Sequence, residues 1–249
     1  MKSLAIFNWS GGKDSALALY RVQQQPQFQL HALFTTVSQI HQRVTMHGVR
    51  EELMQAQAQA LDLPWQPLYL PENTTMSQYN QAMAQAWTGF KAAGVTHGIF
   101  GDLYLEDLRE YRETQLRSVG IQAHFPLWGE RPVALLEEFW QAGFKAKVVC
   151  VNGKHLDASF AGRELDEAFV RDLPAMVDPC GENGEYHSFV YDGPNFRQPV
   201  PVQIGEVVFR SYAPATPNQQ DTCFQADTPA YDTGFWFCDL LLSTGKEQG

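Results

Sequence analysis

Residues Leu4–Tyr20 read LAIFNWSGGKDSALALY: an apolar run, a double glycine flanked by hydroxyl and charged residues, then a helical pattern. The spacing predicts a buried strand over Leu4–Trp9 and a helix over Asp14–Gln24 with Ala16, Leu17, Leu19 and Tyr20 available for packing. Gly11 and Gly12 let the connecting backbone turn sharply and come close to a ligand, which a side chain would prevent. The free N–H groups at the start of the helix then point at an anion, and the helix dipole favours negative charge there. Ser10 and Ser15 add hydroxyls and Lys13 a cation, so Ser10, Gly11, Gly12, Lys13, Asp14 and Ser15 form a candidate phosphate cradle. The loop is not a Walker A motif, because Phe7 stands where the first glycine is needed and Asp14 where Ser or Thr must follow the lysine. Nor is it a G-x-G-x-x-G fingerprint. The bland reading is a strand-to-helix turn with an acidic residue near the helix start.

Outward from this loop the pattern repeats. Strands are expected at His31–Val37, Pro67–Leu70, Gly98–Gly101, His124–Leu127 and Ala146–Val151. Helices are expected at Val49–Leu61, Thr75–Ala93 (stopped by Gly94), Leu105–Val119 and Val133–Ala142. Strands alternating with helices indicate parallel βαβ units, an α/β Rossmann-like sheet with helices on both faces. Past Pro174 the texture changes to Pro, Gly and Asn, with strands expected at Val200–Tyr212 and Phe235–Leu242. This predicts a smaller α+β part, with a division into 1–135 for nucleotide binding and 136–249 for substrate binding. No internal repeat is present, and the short QQQPQ tract at Gln23–Gln27 reads as a loop.

Three further places carry chemistry. In an open α/β sheet, ligands sit beyond the carboxyl ends of strands where the strand order reverses, which puts the backbone near Thr35 and Thr36 in reach of a base. The stretch THGIFGDLYLEDLREYRE from Thr96 ends a strand at Gly101-Asp102. Gly101 permits close approach, and Asp102 with Asp14 offers the two carboxylates that Mg²⁺ commonly takes alongside substrate phosphates. Glu106, Arg109 and Glu113 lie on one helical face, where an ion-pair ladder competes with any functional reading. The segment AMVDPCGENGEYHSFVYDGP, Ala175–Pro194, places Asp178, Cys180, Glu182, Glu185 and His187 within ten residues. Ionisable groups among turn glycines make poor core and good site material. One Cys and one His argue against zinc. Glu182, Glu185 and His187 are candidates to orient an amine or act as a base.

The composition bounds the partners. The 249 residues carry a net charge of −10, unevenly placed: residues 1–130 hold 9 Lys and Arg against 11 Asp and Glu, and residues 131–249 hold 9 against 17. An acidic second half repels phosphate backbones, so a nucleic-acid partner is disfavoured. No apolar run is long enough to cross a bilayer, and Asp239 breaks the longest, at Phe235–Leu242. The N-terminus enters an apolar strand with no basic region before it, so a cytoplasmic protein with no membrane association is expected. Cys150, Cys180, Cys223 and Cys238 are widely spaced, which predicts free thiols rather than disulfides or a zinc knuckle.

SGGKDS resembles the pyrophosphate-binding loop of the ATP pyrophosphatases. With GIFGD (Gly98–Asp102) and its downstream Glu106 and Arg109, LDASFAGR (Leu156–Arg163) and GENGEYHSF (Gly181–Phe189), the chain is similar to the diphthine–ammonia ligase family over residues 4–212. The resemblance implies a Rossmann-like nucleotide domain followed by a smaller domain, with the substrate between them. It implies an ATP-dependent, AMP-forming amide ligase that uses ATP, Mg²⁺ and ammonia. Such an enzyme adenylates a carboxylate, in diphthine or another protein or small-molecule acceptor, and lets ammonia displace AMP. Attaching AMP gives a poor electrophile a good leaving group. A tRNA-modifying enzyme of the same superfamily and a non-catalytic nucleotide-binding regulator are the alternatives, and a homodimer is an expected assembly.

Overall fold

A computed structural model describes residues 2–45, 47–211 and 234–243. Strand β1 (Ser3–Asn8) is apolar from Leu4 to Phe7 because both its faces are covered there. Ala5 and Phe7 enter one hydrophobic core and Ile6 another. Strand β2 (Phe28–Ser38) divides the same way, Leu33 to one side and Ala32 and Phe34 to the other. Helices α1 (Lys13–Gln23) and α2 (Glu51–Ala60) cover the first face through Leu17, Leu19, Val22, Leu53 and Met54. Helices α3 (Met76–Ala92) and α4 (Glu106–Ser118) cover the second through Met83, Trp87, Phe90 and Leu116. Helix α3 starts where the sequence marks it: Thr75 accepts from the Gln78 backbone N–H, and the Gln78 side chain accepts from the Thr75 N–H.

Strand β1 is flanked by β2 and by β5 (His97–Ile99), both parallel to it. Strand β4 (Trp65–Leu70) lies parallel beyond β2, β6 (Gln122–His124) lies parallel beyond β5, and the short β3 (Arg43–Val44) pairs antiparallel with the end of β2. The chain thus builds outward on one side of β1, then returns through α3 to build on the other. The order reverses between β1 and β5, and the carboxyl ends of such a pair are where open α/β sheets form their ligand crevice. This is the expected Rossmann-like sheet with helices on both faces.

After α5 (Pro132–Gln141), a second sheet forms from β7 (Lys145–Asn152), β8 (Tyr186–Asp192), β9 (Val202–Ser211) and β10 (Gly234–Leu242), in the order β8-β7-β10-β9 and antiparallel throughout. Two expectations are corrected here. The strand at Ala146–Val151 does not extend the parallel series, because periodicity shows that a segment is a strand but not which strands it pairs with. Tyr186–His187, read as part of a site loop, opens β8; the neighbouring glycines and ionisable residues mask its strand character. Tyr212, the expected end of the next strand, lies outside the described residues. Among the described residues, no helix is long and apolar enough to cross a membrane.

The first core runs without a break from β1, α1 and α2 into Val148, Val151, Phe189 and Val190 of the second sheet. Two polar connections register the sheets. Asp239 of β10 accepts from Arg43 and from Arg50 at the start of α2, at 2.8 and 2.6 Å. Burial alone would raise this carboxyl, but the two guanidinium groups bring it down to about 2. Gln57 of α2 is fully buried. Its amide donates to the Gly11 carbonyl (3.0 Å) and the Val190 carbonyl (2.5 Å), and its oxygen accepts from the Trp9 indole (2.9 Å). One side chain therefore satisfies the end of β1, the glycine loop and β8. Gln57→Ala is expected to lower unfolding free energy by about 2–4 kcal/mol in urea titration, since it creates a cavity and strands buried polar groups. A loss under about 1 kcal/mol would remove Gln57 from this role.

Candidate active site

The Ser10–Ser15 loop sits in the crevice that the sheet order creates, and its conformation depends on both sheets. Gly11 has φ +78°, a conformation L side chains rarely adopt, and a Cβ there would meet Gln57 Oε1 at 2.7 Å. The Val190 N–H donates to the Gly11 carbonyl at 2.9 Å. The Lys13 N–H donates to Ser188 Oγ at 3.1 Å. Ser10 and Ser15 hydroxyls bond each other at 2.6 Å, and they also receive the Gly12 and Ser10 N–H groups. Gly101 is needed for a close approach, but the approach is to α1: a Cβ would lie 3.0 Å from the Asp14 carbonyl carbon and the Ser15 nitrogen.

Lys13 is buried rather than projecting into an open site. Its ammonium lies 2.7 Å from Asp14 Oδ2 and 5.4 Å from the centre of the Tyr186 ring. Burial alone would lower its pKa, but Asp14 and Tyr186 more than reverse this and keep the ammonium charged. Burial raises the Asp14 carboxyl, opposed by Lys13 and reinforced by the charge of Asp102. Asp102 in turn lies 2.8 Å from Arg112. Asp14 and Asp102 carry the oxygen donors that Mg²⁺ takes, and each faces a cation of the chain, Lys13 and Arg112 respectively. Among the described residues no group of three or more His, Cys, Asp or Glu converges as a metal site.

The loop before β8 meets the loop after β5. Glu182 Oε1 accepts the Leu103 N–H at 3.2 Å, and the Tyr104 hydroxyl donates to Asp178 at 3.1 Å. Burial, together with the Asp14 charge, pushes the Glu182 carboxyl up to about 7. His187 lies on β8 between Tyr186 and Ser188, the two residues that touch Lys13, and its ring lies against that of His47 with centroids 4.3 Å apart and planes tilted by 31°. Burial first, and then the Lys13 charge, lower His187 to about 4, so the imidazole is neutral at physiological pH.

The structure thus gathers Ser10, Gly11, Gly12, Lys13, Asp14, Ser15, Gly101, Asp102, Glu182 and His187. The side chains of the other candidates have partners of their own, which leaves the backbone of Thr35 and Thr36 as the part expected to meet a base. Thr35 is buried, donating to the Trp9 carbonyl and accepting from the Trp65 indole, while the Thr36 hydroxyl is bonded to Thr45 at 2.8 Å. Glu185 is 3% exposed and closes its own loop, its oxygens accepting from the Asp178 N–H, the Asn183 N–H and the Asn183 side chain. Arg109 pairs with Glu113 at 2.8 Å and covers Trp128, as expected of a helical ladder. Burial raises the Cys150 and Cys180 thiols to about 12, so neither is poised as a nucleophile; Cys223 lies outside the described residues. His47, Gln57, Tyr104 and Ser188 were missed from the sequence. Ser188, within GENGEYHSF, and Tyr104, within THGIFGDLYLEDLREYRE, lie in stretches the sequence marks, whereas His47 and Gln57 do not.

Glu182 and Glu185 should respond oppositely to the same substitution. Glu185→Gln sets an amide N–H against donors that need an acceptor, and a loss of about 1–3 kcal/mol is expected. Glu182 has a raised pKa, so the folded chain holds more protons than the unfolded chain between pH 4.5 and about 7. Stability therefore falls as pH climbs through that window. Glu182→Gln keeps an acceptor for Leu103 and removes the charge. After allowance for solvent screening it should be more stable than the wild type by about 1 kcal/mol at pH 8 and unchanged below pH 4.5. Urea titrations at both pH values check this, and equal effects of the two substitutions would contradict it.

Comparison with known proteins bears on the family of the chain. Residues 1–123 match the model of the diphthamide synthase N-terminal domain, and residues 131–213 that of the diphthamide synthase C-terminal domain. Proteins named diphthine–ammonia ligase from Homo sapiens and Bos taurus are each 31% identical over 120 residues, 46% of this chain and 45% of theirs. One from Danio rerio is 30% identical over 116 residues, 42% of this chain and 44% of its own. These alignments span less than half the length of the relatives. With the N- and C-terminal domain matches following one another along most of its length, the chain belongs to the diphthamide synthase (diphthine–ammonia ligase) family.

Proposed function

We propose that this protein is an ATP-dependent, AMP-forming amide ligase that adenylates a carboxylate and transfers it to ammonia. The observation that carries the reading is the buried Lys13 ammonium in a glycine loop at the point where the sheet order reverses. In this reading residues 1–135 supply the nucleotide site and 136–249 the acceptor side, with the acceptor entering where the Glu182 loop meets the crevice. Relatives named diphthine–ammonia ligase make a diphthine-like carboxylate the leading acceptor.

In the first step a carboxylate oxygen attacks the α-phosphorus, the bond from that phosphorus to the bridging oxygen breaks, and pyrophosphate leaves. The Lys13 ammonium would face the departing charge from a buried position, where an electrostatic contact is stronger than in water. A Mg²⁺ held by Asp14 and Asp102 would neutralise further phosphate charge. In the second step ammonia attacks the acyl carbon, AMP departs, and one proton leaves the nitrogen. Glu182, with a carboxyl near 7, is matched to accept that proton near neutral pH. His187, neutral beside Lys13, offers a hydrogen bond to the acceptor or phosphate. Glu185 supports this set by fixing the loop that carries Glu182. The protonated, buried Cys150 and Cys180 weigh against sulfur transfer to tRNA, and a regulator that only binds a nucleotide has no need of a charged residue pair at the phosphates.

Labelled ATP, Mg²⁺ and ammonium, incubated with a carboxylate acceptor or cell extract, should yield AMP and pyrophosphate. ADP as the sole product would overturn the reading. Lys13→Met should lower the rate per folded molecule by about 10²–10³. Methionine fills the buried volume, so the fraction folded, followed by circular dichroism, separates lost chemistry from lost fold.

A further inference from the structure

His47 lies in the turn between β3 and α2, far along the chain from His187, yet its ring lies against that of His187, tilted by 31°. The turn that carries it is held from several directions. The Val44 N–H donates to the Val49 carbonyl, the Gly48 N–H to the Val44 carbonyl, and Arg43 to the Gly48 carbonyl. Gly48 has φ +69° and lies against the Phe237 ring of β10, which a Cβ would meet at 2.8 Å. So both sheets fix the position of His47, as they fix the phosphate loop.

The half-buried ring has one unusual atom: Nδ1 is buried and has no hydrogen-bond partner among the described residues. An orphaned N–H costs more than an orphaned lone pair, so Nδ1 carries the lone pair and the proton resides on Nε2. Burial first, and then His187 and Lys13, keep the ring uncharged. The result is a fixed, neutral N–H donor on a ring packed against His187, close enough to Lys13 to feel its charge.

We propose that His47 is a further ligand-contacting residue, its Nε2–H donating to the phosphate chain held by the Ser10–Ser15 loop, with the stacked His187 ring keeping it in position. The inference rests on the nucleotide reading above and extends it to a residue outside every motif. The same donor would serve bound ATP or free pyrophosphate.

Calorimetric titration of the full chain with inorganic pyrophosphate and, separately, with ATP in the presence of Mg²⁺ tests this. His47→Phe keeps a stacking ring and removes the nitrogen, while His47→Gln places an amide N–H near the position of Nε2. Phenylalanine should weaken both ligands about ten- to a hundredfold, the usual range for a hydrogen bond to a charged group. Glutamine should bind within about threefold of the wild type. His47→Leu gives the same comparison should phenylalanine not fit the stack. Wild-type affinity for both ligands in the Phe or Leu variant, or glutamine binding as weakly as phenylalanine, would overturn the role of His47 alone. A loss confined to ATP would assign His47 to another part of the nucleotide and overturn the phosphate contact. A wild-type protein that binds neither ligand would overturn the nucleotide reading and this inference together.

Discussion

The contact on which the remaining structure depends is the grip of β8 on the glycine loop. A loop containing the adjacent Gly11 and Gly12 has wide backbone freedom, and an anion cradle works only if its N–H groups are already aligned. Here the alignment comes from outside the loop. The Val190 N–H holds the Gly11 carbonyl, Ser188 Oγ holds the Lys13 N–H, and Gln57 closes the arrangement from α2. Gly12 is required for this grip too, since a Cβ would stand 3.1 Å from the Ser188 carbonyl. The phosphate site is therefore a product of both sheets, and a change in β8 is a change in the nucleotide site.

The electrostatics follow from the same junction. Bringing the two parts together removes water from Lys13, Asp14 and Glu182, and desolvation is the largest single influence on each. The ammonium survives burial because Asp14 is 2.7 Å away, whereas Glu182 shares its surroundings with Asp14 and Asp102 and is pushed toward the neutral form. Burial raises both carboxyls, and Lys13 opposes that rise directly at Asp14. His187 and His47 are held neutral by the same burial and by the same lysine.

Much of the candidate site was legible in the sequence, though the roles were less so. Residues Ser10–Ser15, Gly101 and Asp102 lie together because each follows directly on a strand whose place in a parallel sheet can be inferred from alternation. Glu185 was misjudged because a carboxylate among turn glycines looks the same on paper whether it faces a substrate or accepts its own loop's N–H groups. Thr35 and Thr36 lie at the expected strand end, yet their hydroxyls bond to Trp9, Trp65 and Thr45. No local pattern could have announced His47, because its partner ring belongs to another sheet.

The sequence by itself determined what depends on neighbours in the chain. An apolar run leading into Gly11-Gly12 must turn, a helix must start after it with free N–H groups, and Thr75 with Gln78 must cap the next long helix. These follow from backbone sterics and hydrogen-bonding needs that act within a few residues. Only the tertiary structure decided that Lys145–Asn152 joins an antiparallel sheet, that Tyr186–Asp192 is a strand gripping the glycine loop, and that His47 meets His187. Those outcomes depend on which surfaces pair across long separations along the chain. That choice is made by the burial of a shared core and by buried groups such as Gln57 finding partners, and not by any local preference.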